Sequence, residues 1–184
     1  MNDLIRYVNP HGPLPEIAGT KCGCLLVIGS ACGVWEDLEV NSQTQQDIMA
    51  VNNMMADYPA NLQHGISLHP ERLQDWVFRP MDIHSNVKSK SVDHVWPLTR
   101  DGGVSGCFAA IVGLLLGYES IILAGIPADA SARYFDLPGT VHPICSTDGS
   151  FQEWVRLRDE VSLAKERIRS LSGKTRELFG APND

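Results

Sequence analysis

Residues 102 to 129 read GGVSGCFAAIVGLLLGYESIILAGIPAD, and few folds accommodate such a stretch. Gly102, Gly103 and Gly106 make a flexible turn, Cys107 to Leu116 runs apolar without a break, and Gly117 follows. A helix apolar on every face must be buried, and glycine just past its end is the usual stop. Ile121-Ile122-Leu123 then closes on Ala124-Gly125. A short apolar run bounded by turn residues reads as a central strand covered on both faces. Turn, buried helix and buried strand together form one half of a doubly wound α/β domain.

The chain has 184 residues, which suits one domain with a proper core. Hydrophobic residues make up 43% and charged residues 20%, ordinary for a globular protein. A net charge of −7 gives no general reason to bind nucleic acid. The apolar run at Cys107 to Leu116 is about half of the roughly 20 residues a membrane span needs. The first residues, MNDLIRYVNPHG, lack a secretory apolar core, so the expectation is a cytoplasmic protein that does not enter the membrane. Cys22 and Cys24 are half of a metal site at most, and five cysteines without a C-x-x-C pair read as reduced structural thiols.

Read in order, residues 1–20 carry three prolines and two glycines, an extended lead-in. Cys24 to Ile28 is the first strand, running into Gly29-Ser30-Ala31-Cys32-Gly33 and a short helix from Val34. Free N–H groups and the helix dipole converge at such a junction, a natural anion site. The glycines are spaced G-x-x-x-G, however, and no acid closes the second strand, which disfavours NAD in the dehydrogenase manner. Asp47 to Val51 is the second strand and ends in Asn52-Asn53, either a base- or sugar-reading pair or a turn that tolerates left-handed geometry. Gly65 to Leu68 reads as a third strand, Pro70 to Val77 as a short helix, and Phe78 to Ser91 as irregular. His94 to Leu98 reads as another strand that Pro97 ends or confines to an edge.

Residues 130–149, with Pro138, Gly139, Pro143 and Gly149, read as a long excursion over the carboxyl end of the sheet. Trp154, Leu157, Val161, Ala164, Ile168 and Leu171 alternate steps of three and four, which predicts one amphipathic helix over 151–172 capped by Gly173. That helix carries basic residues interleaved with acids, a solvated face, and it could pack on its own sheet or pair two copies. Gly173-Lys174-Thr175 is not a phosphate-binding loop, because Ile168 stands where the motif requires glycine and a helix is expected before it.

The expectation is therefore a single three-layer α/β domain with a mainly parallel sheet, strands 24–28, 48–52 and 120–124 adjacent, and a long C-terminal helix. Ligands in such sheets bind outside the carboxyl ends of the strands, where strand order reverses. Gly29, Ser30, Gly33, Asn52, Asn53, Gly103, Ser105 and Gly106 are the candidate phosphate and nucleotide contacts there, with Ser67 and His69 as substrate contacts. His64, His69, His84, His94 and His142 are candidate general bases, since histidine titrates near neutral pH. Any one of them alone is more often a surface or packing residue. His69 and His142 fall nearest the expected ligand face. Asp129 could orient His142 or hold Mg²⁺ on a phosphate, and no other cofactor is indicated.

The segments LLVIGSACGVWEDL, IMAVNN and GGVSGCFAAIVGLLLGYESIILAGIPAD resemble a Rossmann-like superfamily across residues 24 to 129. Its marks are a glycine loop, a strand-end asparagine and a Ser/Gly turn before L-G-Y-x-x-I-x-L-x-G. The group includes bacterial sialyltransferases that use CMP-sialic acid, 6-hydroxymethylpterin diphosphokinase-like proteins, and small bacterial and phage proteins. The resemblance implies a nucleotide held by Gly29, Ser30, Asn52, Asn53, Ser105 and Gly106. It also implies a transferase acting on a nucleotide-activated sugar donor, or alternatively a non-catalytic nucleotide sensor or sponge of phage origin. Val104 replaces the first serine of the family's turn, which removes one phosphate contact, and Cys32 stands where proline or serine is common.

Overall fold

The computed structural model describes residues 3–41, 45–137, 139–140 and 148–182. Seven strands, β1 (Cys24–Ile28), β2 (Asp47–Val51), β3 (His64–Ile66), β4 (Asp82–Ser85), β5 (His94–Val95), β6 (Ser120–Ala124) and β7 (Ile168–Ser170), form one sheet. Its order is β5-β4-β3-β2-β1-β6-β7 and every pairing is parallel. The chain winds outward from β1 to β5, crosses back through a helix, and continues with β6 on the other side of β1. Strand order thus reverses between β1 and β6.

Alternation along the central strands divides the core between two faces. Leu25, Val27, Met49, Val51, Ile121 and Leu123 face helix α3 (Ser105–Leu116) and Trp154. Leu26, Ile28, Ala50, Ile122 and Ala124 face α1 (Val34–Val40), α2 (Met54–Asp57) and the 3-10 turn Pro70–Asp75. This is the expected three-layer α/β architecture. Helix α3 is enclosed as its composition requires: Cys107 through Val112 are all 0% exposed. It stops at Gly117, whose φ of 106° is left-handed backbone, and the N–H of Gly117 donates to Leu114.

Several expectations need correction. The helix expected over 151–172 is two helices, α4 (Asp148–Glu160) and α5 (Ser162–Arg167), separated by Val161 in extended backbone. The chain then enters β7, where Ile168 and Ser170 are buried and Ile168 pairs with Ile121. The three-and-four spacing continues past the helix because Ile168 must be apolar to cover β6, whichever backbone presents it. Gly173 accordingly opens α6 (Gly173–Phe179) and caps no long helix; a Cβ there, at φ +64°, would lie 2.3 Å from Pro127 Cβ. A strand therefore does precede Gly173-Lys174-Thr175, but the buried Thr175 hydroxyl donates to the carbonyl of Ile126 (2.6 Å), locking the β6 exit.

The stretch Phe78 to Ser91 contains β4, whose residues DIHS are too polar to read as a strand. The lead-in carries a 3-10 turn, Leu4–Tyr7, with Leu4 and Tyr7 in the core, and Val8 bridges Leu98. Pro97 limits β5 to two residues at the sheet edge.

Candidate ligand site at the carboxyl edge of the sheet

The turns leaving β1 and β6 meet at the switch point, and both need glycine for contact. A Cβ on Gly29 would lie 2.5 Å from the carbonyl oxygen of Gly125, and one on Gly125 would lie 2.6 Å from that of Gly29. Asp37 of α1, 7% exposed, reaches across to accept hydrogen bonds from the Gly125 N–H (2.7 Å) and the Ser172 hydroxyl (2.7 Å). Residues 131–134 then lie over the turn as a strap. Arg133 forms an antiparallel bridge with Ala31, the Cys32 N–H donates to Ala132 (2.8 Å), and the Tyr134 N–H donates to Ser30 (3.0 Å).

The first glycine turn is thus closed by the protein's own groups. The N–H groups of Gly29, Ala31 and Cys32 already donate to carbonyls of Ala124, Gly125 and Ala132. An anion beside them would also meet the Asp37 carboxylate. Gly33 begins α1 with acids, Glu36 and Asp37, in its first turn. The sequence suggests an anion cradle between Gly29 and Gly33; the geometry spends most of its donors on joining β1 to β6.

The second group of candidates forms a connected arc. Ser67, fully buried at the end of β3, donates to Asn52 Oδ1 at the end of β2 (2.7 Å) and accepts from the His69 N–H (2.8 Å). The Leu68 N–H donates to Ser105 Oγ in the first turn of α3 (3.3 Å). Asn52 holds φ +54°, a left-handed conformation that asparagine tolerates. Three strand-end and helix-start positions, far apart in sequence, are thereby fixed in one place.

Around the arc, the remaining candidates separate. Val104 supplies no side-chain cap to α3, so the first N–H groups of that helix carry its positive dipole end. Gly106 lies there, but a Cβ would meet Ile126 Cγ2 at 2.9 Å, so packing alone requires glycine. Gly103, at φ +68°, donates its N–H to Asp101 Oδ1 (3.0 Å). Asn53 donates to Asp57 Oδ2 (3.0 Å), and Tyr134 of the strap donates to the same carboxylate. Burial and that carboxylate both push the Tyr134 phenol upward. Asp129 Oδ1 accepts from both the backbone N–H (2.8 Å) and the hydroxyl of Ser131, a local turn. His142 lies outside the described residues.

His64 and His84, candidate bases in the sequence, have a different role. Trp96 Nε1–H donates to His84 Nδ1 (3.0 Å), leaving His84 Nε2–H to donate to His64 Nδ1 (3.0 Å). His64 Nε2–H then donates to the Tyr118 hydroxyl (2.9 Å), which donates to Asp47 Oδ2 (2.5 Å). The direction set by the indole at one end and the carboxylate at the other requires both imidazoles to be neutral. Both histidines are fully buried, and burial holds His64 down at about 4 and His84 well below its ordinary value. His94 stacks on His84, with ring centroids 5.1 Å apart. This is a polar core network. Sequence reading missed it because its members come from β2, β3 and β4, from Trp96 just past β5 and from Tyr118 between α3 and β6, and no local spacing marks them.

Among the described residues no group of three or more His, Cys, Asp and Glu side chains could hold a metal ion, and no helix is long and apolar enough to cross a membrane. No protein-family model and no curated protein matches the chain. Solved structures do match its fold. The sialyltransferase CstII from Campylobacter jejuni, in complex with the substrate analogue cytidine-5'-monophosphate, is 13% identical with a TM-score of 0.56, covering 86% of this chain and 84% of that one. CST-II in complex with a trisaccharide acceptor and CMP is 12% identical, with a TM-score of 0.57 over 86% of this chain and 85% of that one. The monofunctional alpha-2,3-sialyltransferase Cst-I from Campylobacter jejuni is 12% identical, with a TM-score of 0.57 over 95% of this chain and 83% of that one. At these identities the likeness establishes the fold, and nothing among these structures supports a diphosphokinase or a phage origin.

Proposed function

We propose that this chain is a transferase that uses a nucleotide-activated sugar donor of the CMP-sugar kind. The observation that carries the reading is the arc of Asn52, Ser67 and Ser105 beside the uncapped start of α3, on the ligand-binding edge of a fold shared with CMP-dependent sialyltransferases. In this reading Asn52 and Ser105 hold the nucleotide, and the N–H groups of Ser105 and Gly106 face its phosphate. Ser67 fixes the arc from within, while Gly29, Ser30 and Gly33 belong to the turn that the strap closes and are given no ligand contact. In this reading the proton from the acceptor is taken by a histidine, His69 or His142, the latter outside the described residues. Asp129 orients the base or holds Mg²⁺ on the phosphate. The nucleotide or nucleotide-sugar is the partner this site calls for; the apolar stripe of the C-terminal helices, Trp154, Leu157, Val161 and Ala164, packs into the chain's own core.

The test is a thermal-shift panel of CMP, CMP-sugars, UDP-sugars, GTP, ATP and NAD, with and without Mg²⁺. A ligand at a hundred times its dissociation constant adds about 2.7 kcal/mol. CMP and CMP-sugars should stabilise the protein, and Asn52→Gly and Ser105→Ala should abolish the shift. Glycine keeps the left-handed backbone of position 52 while removing the amide. A shift from NAD or ATP alone, or one that survives both substitutions, would refute the assignment.

A further inference from the structure

At the β7 edge of the sheet, α4, α5, β7 and the end of α6 border an open cavity of about 520 Å³. Its lining carries three cations, Arg158, Lys165 and Arg169, against one acid, Asp159, together with the apolar Leu178 and Phe179. Asp159 is already neutralised, since its Oδ1 lies 2.7 Å from Arg158 Nε. Lys165 and Arg169 have no ion-pair partner among the described residues. Basic residues at helix carboxyl ends ordinarily complement the dipole. Arg169 does so through one nitrogen, its Nη1 donating to the carbonyls of Lys165 (3.1 Å) and Ile168 (2.7 Å). Both Nη1 hydrogens are thereby used, which fixes the guanidinium plane. The Nε–H and the two Nη2–H groups are left without an acceptor among the described residues.

We propose that this cavity is a second ligand site, for a small molecule carrying a phosphate group, held by the fixed fork of Arg169 and the point charge of Lys165. The Nε–Nη2 edge of a guanidinium matches two oxygens of a phosphate, and a flexible ammonium reaches a third. A carboxylate has only two oxygens, so it would satisfy the fork and leave Lys165 unpaired. Arg158 keeps Asp159 from repelling the anion. Leu178 and Phe179 give the body of the ligand an apolar wall, and the volume falls within the range of small-molecule sites, about 300–1,000 Å³. Strands β1 and β6 lie between β7 and the β2 end that carries Asn52, so this site is separate from the arc and independent of the donor reading.

The experiment titrates inorganic phosphate into the full chain and follows the backbone amide and arginine Nε–H signals by NMR. Saturable shifts should centre on residues 165–169 and 178–180 and on the Arg169 Nε–H, with a Kd of about 1 mM, the affinity of two or three charge-assisted hydrogen bonds. Arg169→Gln removes the fork but also the contacts to the Lys165 and Ile168 carbonyls, so the exposed Lys165→Gln is the cleaner variant. Each should weaken binding about tenfold, whereas Lys88→Gln, an equal loss of charge at another exposed position, should change it less than about twofold. Phenyl phosphate should bind more tightly than inorganic phosphate, and succinate more weakly. Shifts that survive Lys165→Gln unchanged, shifts that fall equally with Lys88→Gln, succinate binding as tightly as phosphate, or no shift at these residues would overturn the assignment. Asn52→Gly should leave the shifts in place, so failure of this site and failure of the donor site are read separately.

Discussion

Tyr7 buries its hydroxyl with no hydrogen-bond partner, and burial pushes that phenol up to about 12. An unsatisfied buried hydroxyl costs about 1–3 kcal/mol, and phenylalanine has the same shape without it. Tyr7→Phe should therefore raise the midpoint of urea unfolding, a gain of about 1 kcal/mol; a loss of stability would mean that the hydroxyl has a partner. His64 carries a pH dependence of defined sign. Its folded value, about 4, lies below the ordinary 6.5, so the unfolded chain takes up the proton first as pH falls. Stability is fully present above pH 6.5 and is lost progressively down to about 4, with His64 accounting for about 2 kcal/mol of loss by pH 5. Urea titrations between pH 7 and 5 check this, and a flat profile would contradict it. Single residues were the least legible level of the sequence. Asn52, Ser67 and Ser105 stood out as polar residues at strand and helix ends, but His64 and Tyr118 meet across 54 positions. Only strand order tells which histidine is core and which is open.

Among the elements, continuous apolar runs were legible and polar or short ones were not. Strands β1, β2 and β6 and helix α3 declare themselves because they are covered on both sides and tolerate almost no polar residue. Strand β4 hides because His84 and Ser85 are buried through hydrogen bonds, which hydropathy cannot register. The break at Val161 hides because a helix face and an edge strand both demand Ile168. The junction between β1 and β6 gives the sharpest mutational test at this scale. Gly125 has φ +61°, and an alanine Cβ would lie 2.6 Å from the Gly29 oxygen and 2.7 Å from Val34 Cβ. Gly125→Ala should cost at least about 2 kcal/mol, from left-handed strain and overpacking together. Gly149→Ala, where nothing lies within 4 Å, should change stability by less than about 1 kcal/mol. Equal effects in a denaturation series would mean that the two turns do not pack as described.

At the scale of the molecule, the sheet order β5-β4-β3-β2-β1-β6-β7 explains why polar residues from four segments converge on one edge. Alternating strand and helix signals were enough to expect that edge. They could not tell which of its glycine turns stays open, because that depends on where residues 131–134 return over β1. The Gly29–Gly33 turn is filled by the strap and by Asp37, and the proposed ligand position is the Asn52–Ser67–Ser105 arc. The most direct measurement of that claim is calorimetric titration of CMP into the parent protein, Asn52→Gly and Ser105→Ala, with Ser30→Ala as the control on the closed turn. Saturable one-to-one binding that both arc substitutions remove and Ser30→Ala leaves in place is the expected result. Binding lost in Ser30→Ala and kept in the two arc variants, or no binding to the parent protein, would contradict it.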